Sequence, residues 1–116
     1  MSLQDAIHDF MQSLQGSILE GLQQMDAGAL VSRDQWDRPG GGGGCSVVLT
    51  GGALLEKAGV NYSRVFGATL PEAATRKRPP LAGLPFEATG VSVVLHPENP
   101  HVPSAHLNVR YFSTRD

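Results

Sequence analysis

The sequence predicts an α+β fold in which one N-terminal amphipathic helix packs on an antiparallel sheet. Apolar residues recur at helical spacing near the N-terminus, and two β-rich runs near the C-terminus flank a proline-rich loop that favours a hairpin. The 116 residues allow a single domain, which we place at 1–116, and 41% hydrophobic residues suffice for a packed core. The 14 glycines and 8 prolines exceed their usual share and predict long loops.

Charge and cysteine content exclude several classes of function. A formal net charge of -2 leaves no overall basic field that would attract nucleic acid or anionic lipid. Cys45 is the only cysteine, so an internal disulfide cannot form, and no apolar run approaches the roughly 20 residues of a membrane span. We therefore expect a cytoplasmic protein that captures any anionic ligand through local groups.

Residues 2–26 are predicted to form one amphipathic helix. Ser2 followed by Asp5 resembles a capping box, and Gly28 follows the last periodic residue as a C-terminal signal. We expect the apolar stripe of this helix to be buried against the sheet, with Phe10, Leu14 and Ile18 in the core. The stripe recurs at steps of three and four residues: Leu3, Ile7, Phe10, Met11, Leu14, Ile18, Leu22 and Met25.

Five consecutive glycines, residues 40–44, lie between Trp36 and a predicted strand at Cys45–Leu49. Phosphate-binding glycine loops follow a strand and open a helix, whereas this run precedes a strand, so a P-loop is not indicated. Two alternatives remain, a flexible linker or a segment where the backbone closely approaches a ligand. Cys45 has no partner at CxxC spacing, which favours a small buried residue over a nucleophile.

The middle of the chain carries weaker signals. Thr50–Gly52 is predicted to be a turn, and Ala53–Lys57 fits either a strand or one helical turn ending at Gly59. Residues 71–85 are predicted to be a loop rich in proline and alanine. Its three basic residues, 76–78, fit a solvated loop or a site that captures phosphate or carboxylate.

The last third of the sequence predicts a hairpin. Gly90–His96 is β-rich, and Ala105–Phe112 alternates with a period of two residues. Residues 97–104 contain three prolines, which exclude a helix and favour a rigid extended loop. We predict that residues 91–96 pair antiparallel with residues 105–112.

This hairpin would place five polar side chains on one face of the sheet, because alternate residues of a strand point the same way. Pairing around the loop brings the two histidines together and sets the serine across from the amide and the guanidinium. One interpretation is an ordinary solvated face and the other is a binding face; Phe112 on the same face and the stiff loop favour binding. The five residues are Ser92, His96, His106, Asn108 and Arg110.

Four segments in order resemble the signatures of the oxygen-dependent coproporphyrinogen III oxidase family. They are residues 36–44 (WDRPGGGGG), 56–63 (EKAGVNYS), 86–97 (FEATGVSVVLHP) and 106–112 (HLNVRYF). The resemblance implies a soluble homodimeric enzyme of haem biosynthesis that converts two propionates of coproporphyrinogen III into the vinyls of protoporphyrinogen IX. It further implies O2 as co-substrate, release of CO2 and hydrogen peroxide, no organic cofactor, and a larger antiparallel sheet covered by helices on both faces.

Carried over by motif, the resemblance gives roles to individual residues. His106 is the expected proton donor, and Ser92 together with the segment Asn108, Val109 and Arg110 is expected to bind the substrate. His96 and His106 are expected ligands in family members that are assigned a divalent, manganese-type metal ion. The residue types suit this chemistry, because a guanidinium can grip a propionate bidentately and an imidazole exchanges protons near neutral pH.

Family members are more than twice as long as this chain. We therefore expect residues 1–116 to be the N-terminal part of a coproporphyrinogen III oxidase domain, holding part of the substrate surface and lacking turnover alone. Two alternatives belong to other classes. One is a non-catalytic module that binds a carboxylate or tetrapyrrole, and the other is a dimerisation domain that uses the helix and the exposed strand edges.

Overall fold

A computed structural model describes residues 2–67 and 84–114 of the chain. It confirms the α+β class: one helix is followed by five antiparallel strands whose order in the sheet is their order in the sequence. Within the described residues, no helix is both long enough and apolar enough to cross a membrane. The elements are α1 Leu3–Met25, β1 Leu30–Asp37, β2 Gly42–Thr50, β3 Leu55–Gly67, β4 Phe86–Pro97 and β5 Ala105–Thr114.

Helix α1 begins and ends within one residue of its predicted bounds. The Ser2 hydroxyl accepts a hydrogen bond from the backbone N–H of Asp5 at 3.1 Å, as the capping pattern predicts. The last helical residue is Met25, and Asp26 caps the C-terminal end through its own N–H, which donates to the carbonyl of Leu22. The C-terminal signal at Gly28 is therefore two residues beyond the actual cap.

The buried side of α1 differs from the predicted one at several positions, because three residues of the predicted stripe are exposed and two residues outside it are buried. Leu14 and Ile18 are half-buried against the core, but Phe10 is 58% exposed, so its predicted burial is wrong. Successive helical residues are rotated by about 100°, which places Phe10 at the margin of the stripe centred on Met11 and Leu22. The fully buried helix residues are Met11, Gln15, Leu19 and Leu22.

Gln15 is the one polar residue of α1 that is buried against the sheet. Its side-chain amide donates to the carbonyls of Cys45 at 2.9 Å and Val60 at 3.0 Å. The amide thus joins α1 to both β2 and β3. A buried polar group is tolerated when it is hydrogen-bonded in this way, which apolar periodicity cannot reveal.

The core lies between α1 and one face of the sheet. Val47, Val60 and Val93 lie opposite one another on β2, β3 and β4, and all are at most 5% exposed. Leu49, Ala58 and Val91 extend this apolar layer and are similarly buried. Because side chains alternate along a strand, the odd-numbered residues of β2, β4 and β5 face α1 and the even-numbered ones face away.

The glycine run does not form a linker, because Gly42–Gly44 are the first residues of β2. Gly42 has a φ of +91°, and a Cβ there would collide with the carbonyl of Arg64, so the strand can start only with glycine. A Cβ on Gly44 would meet the ring of Trp36 at 2.6 Å. The close approach that the sequence suggested is therefore made to the protein's own neighbouring strands.

Two further segments were under-predicted. Leu30–Asp37, to which the sequence assigned no element, forms the edge strand β1 and pairs with β2 over its full length. The segment 53–57 does enter a strand, but β3 continues through Gly59 to Gly67 instead of ending there. The predicted turn is confirmed, with Gly51 at a φ of +69°. Residues 71–83 of the predicted loop, including 76–78, lie outside the described residues.

Polar contacts fasten both ends of α1. At the C-terminal end, the buried Asp26 carboxylate accepts three backbone N–H groups, from Ala53 at 2.8 Å, Leu54 at 3.1 Å and Leu55 at 2.9 Å. The hydrogen bond from Leu55 is the main reason that the Asp26 pKa is below its ordinary value, while burial acts in the opposite direction. This carboxylate holds the turn between β2 and β3 against the end of the helix.

At the N-terminal end, Arg64 of β3 joins three elements. Its guanidinium contacts the nearly buried carboxylate of Glu87 on β4 at 2.8 Å and Asp5 of α1 at 3.2 Å. One helical turn further along, the Tyr62 hydroxyl hydrogen-bonds the His8 ring. Burial is the main reason that the His8 pKa is lowered, with the Arg64 charge adding to it.

The packing of α1 predicts a contrast between two leucines. Leu19→Ala should lower the free energy of unfolding by about 2 to 5 kcal/mol, because Leu19 is 3% exposed and its removal leaves a cavity. Leu3→Ala is the matched control, since Leu3 is 65% exposed and should change stability by less than about 0.5 kcal/mol. Urea denaturation measures both, and equal effects would contradict the observed helix face.

The Asp26 cluster predicts a pH-dependent contribution to stability. A carboxylate whose pKa is lowered by folding stabilises the protein above its unfolded pKa, which is about 4, and loses that contribution as the pH falls through the folded value. Asp26→Asn should therefore lower the melting temperature most near neutral pH, and the difference from wild type should shrink below about pH 4. Asp9→Asn, on an exposed helix position, is the control and should leave the melting temperature unchanged at either pH.

Candidate functional site

The predicted hairpin is confirmed, and its register sets the geometry of the candidate site. β4 and β5 pair antiparallel, with Ser92 directly opposite Asn108, Gly90 opposite Arg110 and Val94 opposite His106. All of the even-numbered residues in this hairpin lie on the face of the sheet away from α1, which we call the open face. The five polar residues predicted to share a face therefore do so.

Two side-chain contacts connect the hydroxyls and imidazoles of this hairpin. The Ser92 hydroxyl lies 3.4 Å from Nε2 of His106, across the two strands. The His96 Nδ1 lies 3.1 Å from the hydroxyl of Ser104, at the end of the connecting loop. Each histidine is thus oriented by a serine on the neighbouring strand or loop, and both imidazoles are exposed.

Ser92, Asn108 and Arg110 line a hollow of about 260 Å³ on the open face. Arg110 and Asn108 are exposed there, so their donors are available to a ligand, while Ser92 is half-buried. His106 is not part of the wall, but its contact with Ser92 places it at the rim. A fixed cation, a neutral amide, a hydroxyl and an imidazole at one hollow can bind a carboxylate and exchange a proton beside it.

Val109 lies on the other face of the sheet from the rest of its predicted segment. Its side chain is half-buried and packs against the core beneath α1. Any contact that Val109 makes with a ligand on the open face must therefore use its backbone. Val109 also supports Asn108 and Arg110, because its burial fixes which way both neighbours point.

The floor of the hollow is formed by Gly90. This residue lies between Ser63 and Arg110 in a row across β3, β4 and β5. A Cβ on Gly90 would meet the Val109 carbonyl at 2.6 Å and the Cα of Arg110 at 3.3 Å. The absence of a side chain lets β5 approach closely and leaves the space above Gly90 open.

An aromatic pair borders the same face. The rings of Phe86 and Phe112 are stacked, with centroids 5.6 Å apart and an interplanar angle of 25°. Phe112 is still 38% exposed. The aromatic neighbour predicted on this face is therefore present and offers an apolar surface beside Arg110, its near neighbour on β5.

The open face also carries Asn61 and Ser63 of β3, to which the sequence analysis assigned no role. Both line the hollow, and Asn61 lies directly opposite Ser92. A signal was present in the sequence, since Ala58, Val60 and Tyr62 alternate with Gly59, Asn61 and Ser63. The strand was under-predicted, so this alternation was not used.

Comparison with known protein families matches residues 6–116 to coproporphyrinogen III oxidase. The chain belongs to the coproporphyrinogen III oxidase family. The match covers nearly the whole chain, including most of α1 and all five strands, and it confirms the family that the four sequence segments indicated. Membership makes the protein one of a family of oxidoreductases of porphyrin and haem biosynthesis.

This member of the coproporphyrinogen III oxidase family has a second and larger hollow, of about 550 Å³. It lies on the side of the sheet that α1 covers. It is bordered by α1 and by β1 to β3, and Arg33, Arg64 and the half-buried Cys45 are among its lining residues. None of the residues predicted to bind substrate or metal lines it. The candidate site therefore lies in the smaller hollow, which the predicted residues Ser92, Asn108 and Arg110 line.

The metal ligands predicted from the family resemblance, His96 and His106, share the open face. Within residues 2–67 and 84–114, no group of three or more histidine, cysteine or acidic side chains is placed to hold a metal ion. Two imidazoles are fewer than the three or four protein ligands of a typical catalytic metal site. The described donor set is thus incomplete for a metal, and the assignment of these two ligands stays a prediction.

The close packing at the floor of the hollow predicts that alanine substitutions at two glycines of the open face will differ in their effect on stability. Gly90→Ala should lower the free energy of unfolding by about 1 to 3 kcal/mol, because its Cβ would overlap the β5 backbone. Gly59→Ala is the matched control on β3, where a Cβ meets nothing within 4 Å, and it should be neutral or slightly stabilising. Chemical denaturation of both variants checks the contrast, and equal losses would show that the β4–β5 approach is looser than described.

Proposed function

We propose that the protein is an oxygen-dependent coproporphyrinogen III oxidase that converts two propionates of its substrate into vinyl groups. For each propionate, the carboxylate leaves as CO2, and the side chain loses two electrons and a proton as the double bond forms. O2 accepts the two electrons and takes up two protons to become hydrogen peroxide, so each step consumes one proton overall. The supporting observation is that Ser92, Asn108 and Arg110 line one hollow of a chain in this family, and that His106 contacts Ser92 at its rim.

Arg110 is the group best suited to bind a propionate. Its guanidinium is permanently charged and exposed at the hollow, and a bidentate pair with a carboxylate is both strong and directional. Asn108 and Ser92 add neutral hydrogen bonds from the next row of the sheet. These contacts form in the ground state and persist through the reaction, so they set affinity and orientation.

His106 is the proposed proton donor. An imidazole can hold or release a proton near neutral pH, and the Ser92 hydroxyl within 3.4 Å orients its ring. The hydroxyl also links His106 to the groups that bind the carboxylate, since Ser92 lines the hollow. A proton held on Nε2 would therefore be available beside the reacting propionate, for the O2 that takes up protons as it is reduced.

The electrons that O2 accepts come from the reacting side chain of the electron-rich tetrapyrrole, so the proposal requires no organic cofactor. His96 and His106 are proposed ligands if a divalent, manganese-type ion takes part, and no step here is routed through it. The family further suggests a homodimer that works in the cytoplasm. Coproporphyrinogen III is accordingly the proposed small-molecule partner.

The two principal residues should respond differently in an active oxidase that carries this sequence. His106→Gln should lower kcat by about 100- to 10,000-fold with little change in KM, because glutamine keeps a hydrogen-bonding amide but cannot donate a proton in the transition state. Arg110→Ala should chiefly raise KM, because it removes an interaction made equally before and during the reaction. Steady-state oxygen consumption and vinyl formation measure both parameters.

Wild-type kcat in His106→Gln would show that His106 positions the ligand and does not donate the proton. Ligand binding by the complete protein without oxygen uptake or vinyl formation would instead favour a non-catalytic tetrapyrrole-binding module. Ser32→Ala is the control, since Ser32 is exposed on β1 and three strands separate it from His106 in the same row.

A further inference from the structure

The polar groups of the candidate site continue across the sheet beyond the hairpin. A single row joins Asn108 on β5, Ser92 on β4, Asn61 on β3 and Ser46 on β2, each directly opposite the next. Neighbouring strands are about 4.8 Å apart, so Asn61 lies about one strand spacing from Ser92 and about 10 Å from Asn108. We call these four residues the polar row.

Asn61 is available to a ligand. Its side chain is exposed, and among the described residues it has no hydrogen-bond partner, unlike Gln15 on the other side of the sheet. Asn61 and Ser63 line the same hollow as Arg110. The Ser63 hydroxyl likewise has no hydrogen-bond partner within residues 2–67 and 84–114. An amide and a hydroxyl at this hollow are donors that a bound anion could use.

Charge limits where along the polar row an anion can bind. Two cations share the open face with Asn61. Arg110 lies on β5, and Lys57 lies on β3, four residues before Asn61. Asp34 is opposite Ser46 at the β1 end and repels anions there. Asn61 therefore lies between the cation Arg110 and the anion Asp34. It is the amide of the polar row on β3 that an anion can approach from the Arg110 side.

One carboxylate is too small to use both ends of this arrangement. A propionate gripped by Arg110 and Asn108 leaves Asn61 two strand spacings away, beyond hydrogen-bond reach of the same two oxygens. The substrate proposed above carries several propionates on one ring system. Resting on that proposed function, we propose that Asn61, with Ser63, binds a second propionate of the coproporphyrinogen while Arg110 and Asn108 bind the first.

Titration calorimetry of the 116-residue chain with coproporphyrin III, the stable oxidised form of the substrate, tests this proposal. Asn61→Ala should weaken binding about three- to tenfold, because one hydrogen bond at an exposed position is lost. Asn61→Asp should weaken it more than about tenfold, because a nearly isosteric carboxylate repels the propionate. Ser32→Ala, on the open face of β1, should bind as wild type does.

A second ligand separates recognition of a carboxylate from a general change of the surface. With a coproporphyrin whose propionates are all converted to neutral amides, Asn61→Asp should lose its extra effect over Asn61→Ala. An undiminished effect on the neutral ligand would overturn the proposal, because it would show that the substitution alters the site by another route. Circular dichroism should show unchanged folding in each variant, since position 61 is exposed.

A double variant tests whether two different propionates are bound. Asn61→Ala and Arg110→Ala should weaken binding by factors that multiply in the double variant, because they act on separate carboxylates. A combined effect no larger than that of Arg110→Ala alone would mean a shared carboxylate and would overturn the proposal.

The proposal and the function on which it rests fail differently. Wild-type affinity in both Asn61 variants, together with weakened binding in Arg110→Ala, would overturn the role of Asn61 and leave the proposed function standing. Absence of coproporphyrin binding by the wild-type chain would count against both.

Discussion

Val47, Val60 and Val93 lie side by side on three adjacent strands beneath α1, and this buried row holds β2, β3 and β4 in one register. The side-chain period of a strand is two, so a slip of one residue would turn every apolar side chain out and every polar one in. The register therefore decides more than stability. The register also places Asn61 opposite Ser92, next to the buried pair Val60 and Val93, so that Asn61 faces away from the helix.

Polar contacts at both ends of α1 hold the helix against one face of the sheet. Asp26 fastens its C-terminal end to the turn between β2 and β3, and Arg64 fastens its N-terminal end to β3 and β4 through Asp5 and Glu87. Each contact uses a charged group whose hydrogen bonds are satisfied within the protein, which is what makes its burial tolerable. Because the orientation of α1 is fixed, the apolar side chains are buried between the helix and one face of the sheet. The open face carries the polar side chains of the candidate site.

The open face suits a large anionic ligand better than a small one. Gly90 has no side chain and leaves space at the centre of this face, and the stacked rings of Phe86 and Phe112 form an apolar border. Arg110, which is paired with Gly90 on the neighbouring strand, supplies a fixed charge. A ligand with an apolar ring system and peripheral carboxylates uses all three kinds of surface at once. This combination fits the membership in the coproporphyrinogen III oxidase family, whose substrate has that form.

The amino-acid sequence by itself determined α1, the β4–β5 hairpin and the shared face of its polar residues, because these depend on short-range periodicity and on a proline-rich connection. It also indicated the family through four local segments. The tertiary structure alone decided the edge strand β1 and the place of Gly42–Gly44 within β2, since strand pairing over many residues is not encoded in any short window. Likewise, the burial of Gln15 and the position of Asn61 beside Ser92 follow from contacts between residues about 30 to 45 positions apart, which only the folded chain brings together.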